Sequence, residues 1–127
     1  MTDSIITNIY TGFGDEGKTK LGNHTISKSN KLIKFIGLID TCQSLTYHND
    51  IHYPLHFNDY INTIQDTLFL ITSLINEPYN QKYLNKISNN HIKLKNKIPS
   101  LIEGLPPLNG YIKSTNTNKD LMLLRAY

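Results

Sequence analysis

The chain has 127 residues, a formal net charge of +3 and a single cysteine, Cys42. That length gives one compact domain with a modest core, and a lone cysteine excludes an intramolecular disulfide or a cysteine metal cluster. The 13 Lys and Arg residues are scattered rather than striped, which fits a small anionic ligand and argues against a nucleic-acid surface.

No apolar run reaches the ~18 residues of a membrane span. The start, Met1-Thr2-Asp3-Ser4, lacks the basic head of a secretory signal, and no arginine-rich transit segment follows. With one cysteine suited to a reducing compartment, the expected location is the cytoplasm.

In chain order, Ile5, Ile6, Ile9 and Tyr10 suit one short extended segment. The loop Tyr10-Thr11-Gly12-Phe13-Gly14-Asp15-Glu16-Gly17-Lys18-Thr19-Lys20-Leu21-Gly22 follows. Glycine lets backbone N–H groups approach an anion closely, and successive N–H groups can form a nest for phosphate. Threonine hydroxyls and lysine ammonium groups add donors. By itself such a stretch is more often a mobile loop than a phosphate grip. Nothing before residue 29 has a helical period, and no strand-rich segment is expected anywhere.

Ser29 or Asn30 can cap a first helix, with Leu32, Ile33, Ile36, Ile39 and Leu45 at helical spacing through about Tyr47. Gly37 inside it costs about 1 kcal/mol relative to alanine, which points to close approach of a helix or ligand. Residues 47–56 carry His48, His52 and His56 around Asp50 and Pro54. This spacing fits a solvated loop better than a metal site. Asn58 or Asp59 opens a second helix with the stripe Ile61, Ile64, Leu68, Ile71, Leu74 and Ile75, ended by Pro78. Residues 79–90 are polar and read as a linker or short helix. A third helix covers 91–104, with Pro99 starting, kinking or shortening it. Glu103-Gly104-Leu105-Pro106-Pro107-Leu108 is a stop. Asn118 or Lys119 begins a last helical run, Leu121-Met122-Leu123-Leu124-Arg125. The expectation is an all-α, antiparallel bundle of four to five helices over 29–127, with residues 1–28 as a ligand-binding arm of the same single domain.

Four anchors in order resemble the trimeric helix-bundle type of ATP:cob(I)alamin (corrinoid) adenosyltransferases. They are Tyr10-Thr11, Gly14-Asp15, Gly17, Thr19 and Leu21-Gly22, followed by Ile26-Ser27-Lys28; Gly37-Leu38-Ile39-Asp40 with Ser44; Ile64-Gln65, Leu68-Phe69 and Ser73-Leu74; and Leu105-Pro106-Pro107-Leu108 with Tyr111 and Arg125. The resemblance implies a homotrimer with ATP at each subunit interface. It also implies transfer of the 5′-deoxyadenosyl group from ATP to reduced corrinoid, with triphosphate leaving.

By position, Thr11, Gly12, Phe13, Gly14, Thr19, Lys20 and Lys28 would hold the triphosphate, with Mg²⁺ assisting and no metal site of the protein's own. Gly17 belongs to the same signature, and Asp15 braces the loop. Asp40 would pair with Arg125 across the interface near the corrinoid. On sequence alone such an acid is usually solvated or paired. Tyr111 stands where the family has a phenylalanine that helps displace the lower axial ligand of the corrinoid. A half-buried core tyrosine is the alternative for that position. A corrinoid reductase is the implied partner.

The chain departs from the family pattern at several points. Thr41 and Gln43 replace a glutamate and an asparagine, and Leu32 and Lys34 replace polar residues of different character. Lys113-Ser114-Thr115-Asn116 replaces a glycine-rich turn. The family's arginine-rich continuation falls past Arg125, so the alternative expectation is a catalytically degenerate member that binds ATP or corrinoid as a carrier or regulator.

Overall fold

The structure, a computed structural model, describes residues 12–47, 53–113, 115–116 and 118–126. The extended segment expected before the loop, Thr11, and the histidine segment at 48–52 lie outside these residues.

The arm contains an element that the apolar pattern did not announce. Strands β1 (Lys18–Leu21) and β2 (His24–Ser27) pair antiparallel, with Lys18 opposite Ser27, Thr19 opposite Ile26, Lys20 opposite Thr25 and Leu21 opposite His24. Gly22 begins the two-residue turn at φ +56°, the position where a type II′ hairpin turn requires positive φ. Strands of four residues carry too few apolar positions for a period-2 signal, so pairing and turn chemistry decide the structure here.

Helix α1 (Lys31–Thr46) starts where the cap residue directs. The Asn30 Oδ1 accepts the Leu32 N–H at 2.9 Å, satisfying one of the donors a helix start leaves open. A short 3₁₀ turn, Leu55–Phe57, leads into α2 (Asn58–Asn76), which stops two residues before Pro78. Helix α3 (Gln81–Ile102) corrects the sequence expectation: residues 79–90 are not a linker, and one helix replaces the shorter segment expected at 91–104. Asn80 caps it, accepting from the Lys82 and Tyr83 N–H groups at 3.1 and 3.2 Å. Its half-buried positions are Tyr83, Ile87, Asn90, Leu94 and Lys97. Two of the five inward positions are polar, which hid the period. Pro99 removes one helical donor in the last turn, yet the helix runs on to Ile102 before Gly104 takes φ +82°. Helix α4 (Lys119–Arg125) begins at an expected residue and packs on α1.

The first three helices form antiparallel neighbours. The Tyr47 hydroxyl donates to Asn62 at 2.7 Å, and the Gln43 amide donates to the Gln65 carbonyl at 3.2 Å. Between α2 and α3, Asn90 donates to the Thr67 hydroxyl at 2.9 Å and Lys93 to the Thr63 hydroxyl at 3.1 Å. In both pairs one residue number falls as the other rises. Among the described residues the buried core is small: Ile39, Ile61 and Leu70, with Thr46 and Thr63 buried beside them. Large apolar side chains stay exposed on every helix, including Phe35, Leu38, Phe69, Ile98 and Leu123. The expected all-α bundle stands, with the hairpin added.

Candidate functional site

The loop before β1 is built from glycines in conformations that other residues resist. Gly12, Gly14 and Gly17 have φ of +64°, +107° and +77°. Two turns close it: the Asp15 N–H donates to the Gly12 carbonyl at 3.3 Å, and the Gly17 N–H donates to the Gly14 carbonyl at 3.1 Å. The Lys28 N–H then donates to the Gly17 carbonyl at 2.8 Å, which closes the loop against the end of β2. At Gly14 the need for glycine is also steric. A Cβ there would lie 2.9 Å from the Lys18 carbonyl oxygen and 3.1 Å from both Cε and Nζ of Lys28. The Lys28 ammonium therefore rests against the backbone of the loop, although 14 positions separate the two residues.

Strand alternation sorts the hairpin side chains. Lys18, Lys20, Thr25 and Ser27 share one face by register. Thr19, Leu21 and Ile26, on the other face, are half-buried. The Lys20 ammonium sits 5.4 Å from the centre of the Phe13 ring, a cation–π contact that holds it beside the loop. A concavity of about 430 Å³ opens here, lined by Gly12, Phe13, Gly14, Asp15, Glu16, Lys18 and Thr25. Such a surface can take a polyanion on its ammonium and hydroxyl donors, and its two carboxylates can face a hard cation.

Gly12, Phe13, Gly14, Asp15, Gly17, Lys20 and Lys28 thus fall together, as the glycine signature suggested. Thr19 lies on the opposite face of the hairpin. Lys18, Thr25 and Glu16 line the concavity but were not singled out by the motif. The signal that finds Lys18 and Thr25 is a two-residue turn at Gly22-Asn23 flanked by alternating residues.

Asp40 is exposed on α1, one turn after Gly37 and one before Ser44. The Ser44 hydroxyl donates back to the Asp40 carbonyl at 3.0 Å, and the Thr41 hydroxyl to the Gly37 carbonyl at 2.9 Å. A Cβ at Gly37 would meet nothing within 4 Å, so no element of this chain needs the glycine for packing. Arg125 is exposed at the end of α4, and among the described residues no ion pair joins it to Asp40. Tyr111 is 101 % exposed, which rules out the half-buried core position within the chain. Gln43, where the family pattern has asparagine, ties α1 to α2 through Gln65.

Among the described residues no three His, Cys, Asp or Glu side chains converge on a metal position, and no helix is long and apolar enough to cross a membrane. The family model described as cobalamin adenosyltransferase matches residues 9–125. Comparison with curated proteins and with solved structures finds no match.

Proposed function

The chain belongs to the cobalamin adenosyltransferase family, and we propose that it transfers the 5′-deoxyadenosyl group of ATP to cob(I)alamin. In that reaction the Co(I) electron pair attacks C5′ of ATP and a cobalt–carbon bond forms. The C5′–O bond breaks, and triphosphate leaves with its electrons. The corrinoid supplies the nucleophile, so the protein's part is to position ATP and neutralise the leaving group.

The observation that carries this reading is the Lys28 ammonium held against Gly14, with Lys18 and Lys20 on the adjoining hairpin face. Three cations around a glycine-turned concavity suit a triphosphate, and removing one preorganised donor of this kind typically costs ~10²–10³ in rate. Asp15 and Glu16 line the same concavity. They are oxygen ligands of the type Mg²⁺ takes alongside phosphates, so we assign Mg²⁺ to the bound nucleotide. Thr11 and Thr19 keep supporting roles at the two ends of the loop.

Asp40, Arg125 and Tyr111 serve the corrinoid half in this reading. Gly37 and Asp40 face open space within the chain, and apolar side chains such as Phe35 (46 % exposed) and Leu38 (56 % exposed) are bare on the same helix. Both features support a homotrimer in which Asp40 meets Arg125 of a neighbouring subunit and the site lies between subunits. We further propose that residues 1–127 act as one cytoplasmic domain supplied by a corrinoid reductase.

The test is direct. Purified protein with ATP, Mg²⁺ and chemically reduced cobalamin should give the adenosylcobalamin spectrum, and no change above background would remove the activity. A second reading, a nucleotide or corrinoid carrier, is favoured by one observation: the loop is assembled within the chain while Asp40, Tyr111 and Arg125 are not. Calorimetric ATP binding without turnover would select it.

A further inference from the structure

The hairpin that carries Lys18, Lys20 and Thr25 touches the helices at a single polar point. The Gly22 N–H, at the hairpin tip, donates to the Asn76 Oδ1 at 2.9 Å across 54 residues of sequence. Among the described residues this is the one hydrogen bond from residues 18–27 to helices α1 to α4. Asn76 is the last residue of α2, and its Nδ2 donates to the Thr72 carbonyl at 3.2 Å. That second bond fixes which way the amide faces, so the oxygen is left for the hairpin. The backbones approach closely as well: a Cβ at Gly22 would lie 3.2 Å from the Asn76 carbonyl oxygen. Beside the contact is an incompletely filled concavity of about 420 Å³, bordered by Leu21, Ile26, Leu32, Ile75 and Pro78 among others. Apolar packing alone therefore does not lock the tip.

We infer that Asn76 is a positioning residue for the nucleotide loop, acting through the hairpin tip rather than by touching the ligand. The hairpin is attached at two places. One is its exit, where the Asn30 N–H donates to the Ser27 carbonyl at 3.0 Å before α1 begins. The other is the Gly22–Asn76 contact. Two attachments fix the orientation of a rigid ribbon, whereas one leaves it free to swing. Release of the tip displaces Lys18 and Lys20, which lie towards it, more than Lys28, which lies at the exit.

The inference rests on the triphosphate reading of the loop, and its test separates the two. Amide hydrogen exchange is measured on the parent, Asn76→Ala and Asn76→Asp, the last keeping an oxygen acceptor. ATP affinity is measured by calorimetry on the same proteins and on Lys20→Ala and the Asn76→Ala/Lys20→Ala double variant. Expected are faster exchange at residues 21–26 in Asn76→Ala and an ATP affinity roughly fivefold lower, the scale of one hydrogen bond. Asn76→Asp should recover most of that loss. The double variant should lose less than the product of the two single losses, because both act on the same lysine. Faster exchange with unchanged affinity, or multiplicative losses in the double variant, would overturn the positioning role. Unchanged exchange would overturn the docking contact. Absence of ATP binding in the parent would sink the loop reading itself, a result seen without any Asn76 variant.

Discussion

The hairpin arm and the α2–α3 helix pair are both antiparallel pairs, yet they are held by opposite means. The helices bury Ile61, Thr63 and Leu70 and cross-link through Asn90–Thr67 and Lys93–Thr63. The arm has no buried residue. Its shape comes from four strand pairings, glycines at positive φ, and one hydrogen bond from the tip to Asn76. The difference teaches that the helices set stability while the arm sets ligand geometry. Damage to one should leave the other largely intact.

The largest expected effect falls on the helices. Leu70→Ala removes one of the few buried apolar side chains and should cost about 2–4 kcal/mol, read as a lower Tm. ATP affinity of the folded fraction should stay within twofold of the parent. A loss of affinity as large as the loss of stability would break the division.

The next largest falls on the arm. Gly14→Val forces a side chain into φ +107° and against Lys18 and Lys28. It should lower kcat/KM for ATP by about 10², the scale of one misplaced electrostatic group, with little change in helical circular dichroism. Unchanged kinetics would remove the loop from the nucleotide site. Lys28→Ala should act in the same direction but less, with about tenfold weaker ATP binding and an unchanged corrinoid KM. Unchanged ATP dependence would take Lys28 out of the site.

The smallest effect returns to the helical half. The Tyr53 hydroxyl is buried with no hydrogen-bond partner. Burial, and secondarily the charge of Cys42, raises its pKa above the ordinary 10.0. A group whose folded pKa is raised gives its full stability below the unfolded value, near pH 10, and loses it as pH climbs through the folded value. Tyr53→Phe should therefore flatten the alkaline fall in stability. At neutral pH it should gain about 1 kcal/mol or less, since an unsatisfied buried polar group is removed. A steeper alkaline fall would contradict the burial.

The same contrast explains what could be read from the residues alone. Helix α2 was plain because its apolar stripe repeats without interruption and Pro78 ends it. Helix α1 was marked by its Asn30 cap. Helix α3 was half hidden because Asn90 and Lys97 take inward positions, and there a cap at Asn80 outweighs apolar spacing. The hairpin was missed because four-residue strands carry almost no periodic signal, and with it went Lys18 and Thr25. The glycine signature did find the loop, since positive φ at Gly12, Gly14 and Gly17 is a local demand written in residue type. Asp40 and Arg125 remain apart in a single chain, as residues proposed to meet between subunits must.

The most direct measurement of the central claim is the ATP- and Mg²⁺-dependent conversion of chemically reduced cobalamin, followed spectrally with the parent and with Gly14→Val. The account predicts adenosylcobalamin formation by the parent and about a 10²-fold slower rate in the variant. Equal rates in the two proteins, or no conversion by the parent, would contradict it.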